Sequence, residues 1–166
     1  TAHQIDLLNQ WLTKLTQTDK TEEKRELLRR IVVVGAYLKR RNNLILVGEQ
    51  DGIIKAEELS LSINEMMKNL QLAGINCACS VQLEKSLPVD VATKLFDFYE
   101  YVVEKSFDGL NCLLARFFCR DNSFYGCIDA VCSLDLTTLK NEWILVSVSD
   151  ENCYTLSFKV EGGNSK

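Results

Sequence analysis

The sequence predicts an α+β protein: an N-terminal antiparallel helical hairpin followed by an α/β sandwich in which helices precede an antiparallel meander. Two observations predict this class. Apolar residues recur at spacings of three and four in three stretches, Ile5 to Leu15, Leu27 to Ile45 and Leu59 to Leu70, whereas the last third is β-rich and alternates with period two in its final strand. The turn-rich break "GEQDG" (residues 48–52) separates a hairpin of residues 1–50 from a sandwich of residues 53–163.

The first helix carries its stripe at Ile5, Leu8, Leu12 and Leu15. In the polar link "TQTDKTEEKRE", Asp19 or Thr21 is the expected N-cap, with acids in the first turn. The second helix repeats the pattern at Leu27, Ile31, Val34, Leu38, Arg41 and Ile45. A two-helix hairpin cannot bury both stripes alone. A second copy is expected to cover them, giving a homodimer through residues 1–50 built as a four-helix bundle. Packing of both helices on the rest of the chain is the alternative.

A third helix, "AEELSLSINEMMKNLQLAG", places Leu59, Ile63, Met66 and Leu70 on one face and stops at Gly74, a natural C′ residue. The strand "INCACSVQL" follows, then "EKSLP", whose proline opens the next helix well. That helix holds "LFDFYEYVVEKSFDG". The strands "LNCLLARFF", "SFYGCIDAVCSL", "EWILVSVS" and "CYTLSFKV" complete the chain. In the last of them Tyr154, Leu156, Phe158 and Val160 alternate with Thr155, Ser157 and Lys159, as one covered and one solvated face require.

Composition narrows the function classes. Of 166 residues, 46% are hydrophobic and 25% charged, which is ordinary for a folded domain. The net charge is −4 and the one dense basic run is Lys39-Arg40-Arg41, so no nucleic-acid partner is expected. The longest apolar run, residues 31–38, falls far short of the roughly 20 residues a membrane helix needs, and no membrane segment is predicted. The chain begins at Thr1 and has no signal-peptide pattern. It is read as a cytoplasmic fragment, either free or the soluble part of a membrane-anchored protein. Seven cysteines without a C-x-x-C pair are expected to be reduced and mostly buried on the covered sheet face, with Cys77 and Cys79 on the same side of one strand and no metal site among them.

The order helix, strand, Leu-Pro, helix, meander, carried by "LSINEMMKNLQLAGINCACSVQLEKSLPVDVATKLFDFYEYVVEKSF", resembles the Bergerat-type ATPase domain of sensor histidine kinases. The preceding hairpin is similar to their dimerisation domain. "GAYLKRRNNLIL" is similar to a segment of sensor-kinase-like proteins of Gram-positive bacteria.

The resemblance implies site residues. The N-box helix of such kinases presents a glutamate or similar residue and, four positions on, an asparagine that holds Mg²⁺ against the triphosphate. Here Glu100 stands at the first position, as the catalytic carboxylate, and Glu104 at the second, as ligand of metal and cofactor. Asp129 is the nearest candidate for the aspartate that accepts from the adenine amino group. His3, in "HQIDLLNQ", loosely resembles the phosphoacceptor, a neutral imidazole acting as nucleophile. An exposed histidine without a role is the other reading.

Three features count against a working nucleotide site. A glutamate at position 104 adds negative charge beside the triphosphate. "DAVCSLD" (residues 129–135) has none of the glycines that would admit a phosphate, and "LDLTTLKNEW" joins two strands without a lid or glycine-rich cradle. The sequence therefore predicts a degenerate site in which no bound cofactor is expected, with ATP and Mg²⁺ the pair to test. Glu100 and Glu104 are then solvated or locally paired helix charges. The expected role is that of a dimeric signalling region working with a response regulator or another signalling protein. The alternatives are an active kinase phosphorylating His3 and a ligand- or protein-binding module on the same fold.

Overall fold

In the computed structural model, described over residues 1–162, the chain runs α1 (Ala2–Gln17), α2 (Thr21–Gly48), β1 (Ile53–Lys55), α3 (Ala56–Leu72), β2 (Asn76–Gln82), β3 (Ser86–Pro88), α4 (Val89–Ser106), β4 (Leu110–Arg120), β5 (Ser123–Cys132), β6 (Ile144–Asp150) and β7 (Cys153–Glu161). The expected end of the sandwich at 163 lies outside the described residues.

Helix boundaries follow local chemistry. Gly74 has φ +89, and the bonds Ile75 N–H to Leu70 O and Gly74 N–H to Gln71 O close α3 as a Schellman motif. Pro88 sits at the N-cap of α4, where its fixed φ suits a helix start. The start of α2 differs from expectation: Lys20, rather than Asp19 or Thr21, is the N-cap, with no side-chain cap bond. Thr18 Oγ1 instead accepts from Lys20 N–H at 3.4 Å and donates to Glu23 at 2.6 Å, so the capping hydroxyl sits two residues early.

The five-stranded sheet has the order β2-β4-β5-β7-β6, with β2 parallel to β4 and the other pairs antiparallel. It is thus mixed and not a simple meander. The chain leaves β5, makes a short 3₁₀ turn at Leu136–Leu139, enters the far edge as β6 and returns as β7 beside β5. Burial explains the placement: β7 buries Tyr154, Leu156 and Val160, whereas β6 is mostly exposed and tolerates an edge. The β4–β5 hairpin turns on Asp121 and Asn122, both at positive φ, as a two-residue loop requires. A small ribbon of β1 and β3, unforeseen in the sequence, ties the start of α3 to the start of α4.

One apolar core lies between the sheet and the helices, centred on Phe96, Tyr99, Phe117, Ile63 and Met66. α2 joins that core through Val33, Tyr37 and Leu44, which lie beside the predicted stripe rather than in it; of the stripe itself Leu27 and Val34 are buried and Ile31, Leu38, Arg41 and Ile45 are partly covered. α1 has no buried residue. The in-chain alternative thus accounts for α2, while Ile5 and Leu12 of α1 and Leu28 and Val32 of α2 stay about half exposed. No helix among the described residues is long and apolar enough to cross a membrane.

All seven cysteines are free, but only Cys132 is buried, and Cys112 is exposed. This corrects the expectation of mostly buried thiols. Cys77 and Cys79 do share the side facing α3, donating to Met67 O and Asn64 Oδ1, each at 3.3 Å. Cys127 lies with Asp129 on the opposite face, within 3.4 Å of Arg116.

Candidate functional site

α4 presents three different faces, and two of the predicted site residues, Glu100 and Glu104, fall on one of them. Glu100 and Glu104 lie one turn apart beneath the hairpin, on a face covered by α2 and α1. Glu100 is 1% exposed, and neither carboxyl oxygen has a hydrogen-bond partner among the described residues. It lines a cavity of about 30 Å³ with Trp11 of α1 and Arg30, Val33 and Val34 of α2. That is room for one or two waters. Burial first, then the nearby Glu104 and Asp97 charges, push the Glu100 carboxyl well above its ordinary range, so the fold favours its neutral form.

Glu104 is engaged on both oxygens. Oε1 lies 2.8 Å from His3 Nε2, and Oε2 accepts from Gln4 Nε2 at 3.2 Å. Lys105 Nζ is 3.6 Å from Oε1. The structure therefore brings His3, Glu104 and Glu100 to one place, as tether, anchor and buried neighbour. Glu104 is locally paired, in line with one reading of the sequence. Glu100 is neither solvated nor paired, because α2 packs over it.

Asp129 does not join them. Strand alternation puts Ile128 and Ala130 of β5 toward the helices and Asp129 on the outer face of the sheet. There its Oδ2 accepts from Arg116 at 2.7 Å and its Oδ1 from Thr155 at 2.6 Å. The two carboxylate groups on α4 and the aspartate on β5 thus lie on opposite sides of the sheet.

A second face of α4 carries Asp97, the polar anchor of α2. Asp97 accepts from Tyr37 Oη at 2.7 Å and, through both oxygens, from Arg41 Nε at 2.7 Å and Nη2 at 3.0 Å. Hydrogen bonding to Asp97 raises the Arg41 guanidinium further above its ordinary value, while burial is the largest cause raising the Tyr37 hydroxyl. Farther along, Arg30 pairs with Asp108 and stacks over the Phe107 ring.

The third face borders an open groove of about 300 Å³ between α4 and the β6–β7 edge. Lys94, Asp97 and Tyr101 line one wall, Asn141 and Trp143 the other, and the stacked Phe98 and Phe158 rings, 5.2 Å apart, lie between. Trp143 is 66% exposed. Asn141 Oδ1 accepts from the amides of Trp143 and Ile144, both at 2.8 Å, and fixes the turn that carries the indole. Sequence reasoning missed this groove. Its signal was present in the spacing of Lys94, Asp97 and Tyr101 along one helix and in a tryptophan placed in a polar link.

The Mg-nucleotide pair fits these residues poorly. Glu104's oxygens are occupied by His3 and Gln4, Glu100 is sealed, and Asp129 is on the other side of the sheet. The link between β5 and β6 contains no glycine.

No family model matches the chain, and no curated protein matches its sequence. Among solved structures, the histidine kinase domain of the blue-light activated histidine kinase EL346 from Erythrobacter litoralis aligns with a TM-score of 0.52 at 11% identity, over 95% of this chain and 96% of that one. A bacterial phosphotransferase aligns with a TM-score of 0.50 at 12% identity, over 94% of this chain and 88% of that one. At these identities the likeness is one of fold, and the fold is that of a histidine kinase domain, N-terminal helices and ATPase-type sandwich together.

Proposed function

We propose that this chain is the signalling region of a sensor-histidine-kinase-like protein with a degenerate nucleotide site, divided into a helical hairpin (1–50) and an ATPase-like unit (53–163). The observation that carries the reading is the cover over α4: the two carboxylates expected to serve a nucleotide face α1 and α2 instead. Burial favours the neutral form of Glu100 and closes it to a substrate, which disfavours a role as base, and a hard cation at Glu104 would have to compete with His3 and Gln4 for its two oxygens. His3 Nε2 is engaged by the Glu104 carboxylate at 2.8 Å.

In this reading the region dimerises through the hairpin and transmits a change in helix packing to a response regulator or another signalling protein. The half-exposed Ile5, Leu12, Leu28 and Val32 support the dimer, since apolar residues seven or four apart share a helix face. Incubation with γ-labelled ATP and Mg²⁺ tests the proposal. No label should appear on the protein, and label lost on His3→Ala would establish the kinase alternative.

A second reading, a ligand-binding module, is favoured by the groove between α4 and the β6–β7 edge. Its volume sits at the low end for small-molecule sites, and its lining combines rings with a few polar groups.

A further inference from the structure

We propose that α1 is a displaceable strap over α4, tethered through Glu104 and kept displaceable by the buried Glu100 beside it. The two hairpin helices are held very differently. α2 is committed to the core by Val33, Val34, Tyr37 and Leu44 and clamped by Asp97. α1 buries no residue, and its polar attachment to α4 is the pair of bonds from His3 and Gln4 to Glu104. Elements with little buried apolar surface open first, so within one chain the local opening of lowest free energy in this region is the lifting of α1 from α4, whatever a second copy does on the opposite, exposed side of the hairpin.

Glu100 sets the cost of closing. With α1 down, its carboxyl lines a small cavity beside Trp11 and meets no donor. A buried carboxyl without a protein donor is costly to keep from bulk water. The closed cavity has room for one or two waters, fewer than a carboxyl can bind, and lifting α1 opens it to solvent, so the closed state is disfavoured by a group that the open state satisfies better. Arg30, the nearest cation on α2, does not relieve it, because its guanidinium is directed to Glu26 and Asp108. An apolar side chain at position 100 would fill the same space, as its neighbours Val33, Val34 and Val103 do. The strap is thus balanced between one carboxylate that holds it and another that loosens it. This balance holds whether or not a nucleotide binds.

Amide hydrogen exchange on the whole chain tests the proposal, read separately for α1 and for β5 and β7. In the wild type, α1 amides should exchange at least tenfold faster than those of β5. Glu100→Leu should slow α1 exchange at least tenfold without a comparable change in the sheet, and Glu104→Ala should speed it tenfold or more. Glu100→Met, similar in length, gives the same readout should the leucine variant fold poorly. Equal slowing of α1 and the sheet in the apolar variants would overturn the proposal, as would α1 exchange unchanged by them or by Glu104→Ala.

Discussion

His3 Nε2 and Glu104 Oε1 lie 2.8 Å apart although 101 positions separate them in the chain. The resemblance assigns one to phosphate acceptance and the other to metal binding. In the fold they are each other's partner, and that contact closes the first helix over the face where a nucleotide was expected.

The dimer seam is predicted to lie on the exposed side of the hairpin. Leu12→Asp combined with Val32→Asp should convert the protein to a monomer, because charges are not tolerated in an apolar seam. Val34→Asp should instead unfold it, since that residue is in the monomer's own interior. Sedimentation equilibrium at micromolar concentration reads both, and a monomeric wild type would contradict the seam.

Asp97→Ala should destabilise the fold by about 2–3 kcal/mol. The change leaves the buried Tyr37 hydroxyl and the half-buried Arg41 guanidinium without their acceptor. Urea unfolding monitored by circular dichroism measures it. A loss within about 0.5 kcal/mol, the level of an ordinary surface substitution, would show that Asp97 does not anchor α2.

Gly126→Ala should cost about 1–3 kcal/mol, as overpacking does. An added Cβ would lie 2.9 Å from the Phe98 ring, which is itself stacked on Phe158 at 5.2 Å and would have to move with it. The same unfolding experiment applies, and a neutral result would mean that the rings shift freely.

Stability should fall with rising pH because of Glu100. Its carboxyl is held above the usual value of 4.5 in the fold, so its contribution is fully present below that value and is lost as pH rises from there through the folded value. The stability of wild type relative to Glu100→Gln should therefore decline steadily above about pH 4.5. A difference that is flat across that range, or that rises with pH, would contradict the assignment of Glu100 as a buried neutral acid.

Periodicity made most of the elements legible, and charge pairing across the fold made little of the site legible. The three-four stripes located α1 to α3, and Gly74 and Pro88 marked the end of α3 and the start of α4 because each has a conformation few other residues share. Alternation located β7 but could not say that it lies beside β5 with β6 outside it, since strand order depends on which strand has the more apolar covered face. The stripe of α2 was visible, but an apolar stripe does not name its partner, and Val33 and Tyr37 beside it in sequence proved as deeply buried as Val34. Glu100 and Glu104 were visible as a pair on one helix face. That one is sealed and the other bound by His3 follows from the docking of α1 and α2, which no local spacing encodes. Half-buried cysteines such as Cys127 were misjudged because strands in the sheet have an outer face that is only partly solvated.

The central claim is that the kinase fold here has lost its nucleotide site, and calorimetric titration of the purified chain with ATP and Mg²⁺ tests it most directly. The account predicts a dissociation constant above about 1 mM, equivalent to less than roughly 4.1 kcal/mol, with no change on Glu100→Gln. Micromolar affinity abolished by Glu100→Gln would contradict it and establish a working site on α4.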